Sequence, residues 1–90
     1  MKFTAIKCHQ PVAVQKLIRA NLDAWKYLPE RDRTKIRQLV GEIAKTPMEG
    51  RALYDVLIRG KSPEVTATVT FVAERRIYQM RRDFYDMWEI

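Results

Sequence analysis

Six of the eight residues from Arg75 to Arg82 carry hydrogen-bonding side chains: Arg75, Arg76, Tyr78, Gln79, Arg81 and Arg82. Arginine presents a planar fork of donors that matches a phosphate or the O6 and N7 edge of guanine, and glutamine matches adenine in the same bidentate way. The chemistry on offer is recognition of polyanions and base edges. A second basic run, Arg31, Arg33, Lys35 and Arg37, suits phosphate contacts, which supply affinity and register but carry no sequence information. A plainer reading stands beside both. Each cluster would then be a solvated helix face, the later one partly paired with Glu74, Asp83 and Asp86 at helical spacings.

Residues suited to making bonds are scarce. Cys8 and His9 are adjacent and are the only cysteine and the only histidine, too few for a metal site, and neighbours in sequence seldom orient one side chain on the other. There is no Gly-rich phosphate loop, serine-nucleophile motif or carboxylate pair at usable spacing. The expectation is a protein that is not an enzyme and has neither cofactor nor metal.

The elements that must position the arginines are marked by proline, which fits the first turn of a helix. Pro11 opens a segment in which Val14, Leu17, Ile18, Leu22 and Trp25 recur at helical spacing, and Pro29 opens one with Ile36, Leu39, Val40 and Ile43 on a single stripe. Thr46-Pro47-Met48-Glu49 is a capping box whose hydroxyl accepts from the Glu49 amide while the carboxylate reaches back. That helix would bury Leu53, Val56 and Leu57 and end at Gly60. Ser62-Pro63-Glu64 then reads as N-cap, first-turn proline and first-turn acid. From Ala73 to Trp88, Ala73, Ile77, Met80, Phe84 and Met87 share one face and Arg75, Gln79 and Arg82 the opposite one, flanked by Arg76 and Tyr78.

One stretch resists. In VTATVTFV, residues 65–72, Val65, Ala67, Val69 and Phe71 alternate with Thr66, Thr68 and Thr70 as in a half-buried strand. Helix propensity disfavours it by roughly 2–4 kcal/mol in sum. Two folds follow. The first is all-α, a four- to five-helix domain with a C-terminal helix-turn-helix. The second is α+β, with a short two-stranded sheet made from this stretch and the N-terminal MKFTAIKC.

Ninety residues suit one domain spanning 1–90. Its basic helical part, 1–46, has ten Lys/Arg against four Asp/Glu, whereas the helix-turn-helix part, 47–90, has seven of each, so the whole net charge of +6 lies in the first part. That charge favours a polyanionic partner. No apolar run is long enough for a membrane span, no signal peptide is evident, and the single cysteine suits a reducing compartment, so a cytoplasmic location is expected. The C-terminal Met87, Trp88 and Ile90 lie where a small domain runs short of core, and an exposed patch there would mark a dimer or partner interface.

The stretch LYDVLIRGKSPEVTATVTFVAERRIYQMRRDFYDMW, 53–88, resembles the helix-turn-helix of the sigma-factor domain that reads the upstream promoter element, and equally the small phage regulators of the late-antitermination type. The resemblance is confined to the C-terminal half. It implies a small DNA-binding transcriptional regulator of phage or prophage type in a bacterial cell. Its recognition helix, 73–84, would lie in the major groove, and double-stranded DNA, RNA polymerase and a second copy of the chain are the implied partners. Three features depart from the pattern: Thr70 and Phe71 stand where the turn glycine is usual, Ala73 replaces the usual Ser or Thr cap, and the small residue of the first helix is Thr66 or Ala67, which leaves two registers one residue apart. Two other readings remain open. One is a phage-type protein-interaction module, an inhibitor or adaptor of a host protein; the other is RNA binding through the basic first half.

Overall fold

In a computed structural model, which describes residues 5–89, the chain is all-α. Helices α1 (Val12–Asp23), α2 (Glu30–Ile43), α3 (Pro47–Leu57), α4 (Pro63–Thr70) and α5 (Glu74–Asp86) follow in order, with a 3-10 turn, Trp25–Tyr27, between the first two. No strand occurs among the described residues, so the α+β alternative is overturned. Of its proposed strand partner, residues 1–4 lie outside the described chain and residues 5–10 form an irregular arm.

The caps work locally. The Thr46 hydroxyl accepts from the Glu49 amide at 3.1 Å, and the Glu49 carboxylate reaches back one residue beyond the cap, to the Lys45 amide, at 2.8 Å. The Ser62 hydroxyl accepts from the Val65 amide at 3.2 Å. Between α3 and α4, Gly60 takes the left-handed conformation (φ +70°) that lets the Lys61 amide return to the Asp55 carbonyl at 3.1 Å.

Helix α4 explains how strand-favouring residues accept a helix. Thr66 and Thr70, one turn apart, are buried, while Val65 and Val69 face outward. The Thr68 and Thr70 hydroxyls donate to the carbonyls four residues earlier, at 3.2 and 2.7 Å, a bond that helical threonine makes readily. The alternation seen in the sequence is therefore real, but it distributes apolar and polar groups in the unexpected sense.

A three-residue turn joins α4 to α5. Phe71 occupies the left-handed region (φ 60°, ψ 19°) at the place where glycine is usual, and its ring is 91% exposed. Val72 turns inward to the core, and Ala73 begins α5 with extended backbone angles and no side-chain cap. Helix α5 packs against α2, α3 and α4 and inserts Ile77, Met80, Phe84 and Tyr85 among Ile18, Leu22, Ile36, Val40, Leu53 and Leu57.

Four side chains expected inside depart from the periodicity. Leu17, Ala73 and Met87 are exposed. On α1 the place of Leu17 is taken by Gln15, only 3% exposed. Tyr78, whose aromatic spacing also suits a core position, is partly exposed. Trp25 is half-buried, edge-on to Tyr54 with ring centres 6.0 Å apart.

Candidate nucleic-acid interface

The solvent face of α5 carries Arg75, Gln79 and Arg82, all exposed. Arg75 and Gln79 are one turn apart, and among the described residues neither has a hydrogen-bond or ionic partner within the protein. Arg82 has only a loose contact with Asp83, at 3.7 Å. Arg75 and Gln79 are free to serve an outside ligand.

The other residues of the cluster are engaged. Arg76 is turned away from the solvent face. Its Nε donates to Glu49 Oε2 at 3.2 Å, and its Nη2 donates to Glu49 Oε1 at 3.2 Å and to the Ile43 carbonyl at 3.1 Å. It clamps α5 to the start of α3 and the end of α2, so the guanidinium expected to read nucleic acid is engaged inside the fold. The Arg76 guanidinium, with help from the Lys45 amide, holds the Glu49 carboxyl below its ordinary pKa. Tyr78 bridges within the helix pair: its hydroxyl donates to Glu64 of α4 at 2.8 Å, which lowers the Glu64 pKa and raises that of the phenol. Arg81 lies over the Tyr78 ring, 5.1 Å from its centre, and its Nε is enclosed without a hydrogen-bond partner.

The basic run on α2 divides in the same way. Glu30 pairs with Arg33 at 2.9 Å and with Arg37 at 3.1 Å, and its pKa is lowered first by the hydrogen bond from Arg37. Arg37 also lies over the Trp25 ring at 5.4 Å. Arg31 and Lys35 are exposed and without an ionic partner among the described residues. Lys35 lines a shallow groove with Glu42, Met87 and Glu89, near the C-terminal end of α5.

The expected C-terminal patch is not assembled. Trp88 is 7% exposed and packs against Phe84 with ring centres 5.7 Å apart, so it belongs to the core. Met87 is exposed, and Ile90 lies outside the described residues. The apolar side chains that do reach solvent together with the helix pair are Val65, Val69 and Phe71.

Sequence reasoning did not place the N-terminal arm against α5. Ile6 and Cys8 pack on the core, and Lys7 between them is exposed. The arm runs beside α5, where a groove of about 310 Å³ is lined by Lys7 on one side and by Arg75, Gln79, Arg81 and Arg82 on the other. No signal in the sequence marks this, because the residue that fastens the arm is Gln15, a polar side chain on an apolar helix face. No cluster of metal-ligating side chains occurs among the described residues, and no helix there is long and apolar enough to cross a membrane. No protein-family model, curated protein or solved structure matches this chain.

Proposed function

We propose that this protein is a small DNA-binding transcriptional regulator of phage or prophage type, acting in the cytoplasm of a bacterial cell. The start of α5 enters the major groove of duplex DNA, and a second copy of the chain or RNA polymerase supplies the remaining contacts. The observation that carries this reading is the pair Arg75 and Gln79, planar donors one turn apart on the open face of α5 with no partner in the fold. The three-residue turn and the Tyr78–Glu64 bond support it by fixing α5 against α4, as a helix-turn-helix requires.

The test is selection of a preferred duplex from a random pool, followed by titration of variants. Arg75→Ala and Gln79→Ala each weaken the preferred site by about 1–3 kcal/mol and relax the preference at one base pair. Equal affinity for all duplexes, or no binding at low salt, defeats the reading.

The exposed Val65, Val69 and Phe71 favour a second reading, a protein-interaction module that grips a host protein. A stoichiometric protein partner that survives nuclease treatment, together with the absence of any duplex preference, would select it.

A further inference from the structure

The arm from Ala5 to Gln10 has no regular secondary structure, yet it is held closely. The buried amide of Gln15 accepts from the Ile6 N–H at 2.9 Å and donates to the Ile6 carbonyl at 3.2 Å and the Gln10 carbonyl at 3.0 Å. The His9 N–H donates to Asp86 Oδ1 at 2.7 Å, which ties the arm to the last turn of α5. With Ile6 and Cys8 packed inward, Lys7 stands on the rim of the groove facing Arg75, Arg81 and Arg82.

Among the described residues, four cations line this groove and no carboxylate does. Of the nearby acids, Asp86 is occupied by the His9 amide, Glu64 by the Tyr78 hydroxyl and Asp83 loosely by Arg82. Glu74, beside Arg75, points its charge at the Tyr78 phenol without lining the groove. Lys7 and Arg75 have no ion-pair partner among the described residues. Like charges gathered around a concavity, two of them without an ion-pair partner, favour an anion from outside. The combination of an ammonium with guanidinium forks suits the two free oxygens of a phosphodiester.

We propose that the groove between the arm and α5 seats a backbone phosphate of the DNA strand flanking the base pairs that Arg75 and Gln79 meet. Lys7 supplies a phosphate contact from outside α5, and Gln15 is the positioning residue that holds Lys7 there. This rests on the duplex-DNA reading above.

The experiment measures affinity of the full chain for its preferred duplex and for a scrambled duplex across a salt series. Lys7→Ala weakens both duplexes by the same factor, about fivefold, and lowers the salt slope by about one; Lys7→Arg restores both. Gln15→Leu, folded by circular dichroism, reproduces the reduced salt slope although it changes no charge.

Unchanged affinity and slope in Lys7→Ala, with the duplex still bound, overturns the phosphate seat and leaves the major-groove reading intact. A loss confined to one sequence overturns it as well. A uniform loss in Lys7→Ala, with no change of base preference in Arg75→Ala or Gln79→Ala, keeps the seat and removes the base reading. A wild-type chain that binds no duplex overturns both.

Discussion

Thr66 is enclosed in the domain at 1% exposure, and its hydroxyl has no hydrogen-bond partner. Its neighbour one turn on, Thr70, satisfies its own hydroxyl on the Thr66 carbonyl, so the two buried threonines of α4 are not equivalent. An unsatisfied buried hydroxyl costs on the order of 1–3 kcal/mol, whereas an apolar group of the same shape carries no such penalty. Thr66→Val keeps the shape and removes the orphan, and it should raise the unfolding free energy by about 1 kcal/mol. Urea denaturation checks this, and an unchanged or lower midpoint rejects it. The adjacent arginines of α5 show what single residues can and cannot announce. Arg75 and Arg76 are identical in type, but roughly 100° of helical rotation puts one in solvent and the other against Glu49. Which of them falls inward depends on where α2 and α3 come to rest, and no local pattern encodes that.

At the scale of elements, α5 is fixed by a three-way junction: the Arg76 guanidinium joins it to the Glu49 carboxylate in the first turn of α3 and to the last carbonyl of α2. Both partners are less than a third exposed, so the ionic bonds are worth more here than on an open surface. Arg76→Ala should cost about 2 kcal/mol while leaving the free face of α5 untouched. Because the folded Glu49 pKa lies below its ordinary value of 4.5, its contribution is fully present above pH 4.5 and is lost as the pH falls through the lowered folded value. Glu49→Gln should therefore be less stable than the wild type at pH 7, with the gap closing in strongly acidic solution. Denaturation midpoints at pH 7 and pH 3 decide the matter, and an equal gap at both would rule the carboxylate out. The start of this junction was legible, because T-P-M-E names its own cap. The helix starts at Pro47 and Pro63 were legible for the same reason. The state of α4 was not, because valine and threonine alternate equally well as a strand or as a helix whose threonines bond backward.

For the molecule as a whole, the net charge of +6 overstates what faces a single ligand. Much of the positive charge is spoken for: Arg33 and Arg37 by Glu30, Arg76 by Glu49, and Arg19 by Asp23 and the Leu57 carbonyl. Lys35 is free, but it shares its groove with Glu42, Glu89 and Met87. Met87 lies about 18 Å along the axis of α5 from Arg75, at 1.5 Å per residue. That exceeds the screening length of about 8 Å at physiological salt, so Lys35 does not reinforce the field at Arg75. The fold thus reverses the division of charge seen along the chain. The half with no net charge presents Arg75 and Arg82, and the basic half contributes Lys7 across the groove. If Lys7 and Arg82 each contact a phosphate while Arg75 reads a base, the slope of log affinity against log salt should lie near −2 at about 0.9 per contact. Replacing Arg31 and Lys35 together by alanine should leave that slope in place, although it removes a third of the net charge. A slope near −6 in the wild type, or a clear fall in the double variant, would mean that duplex DNA meets the whole basic surface and not the face built by the arm and α5.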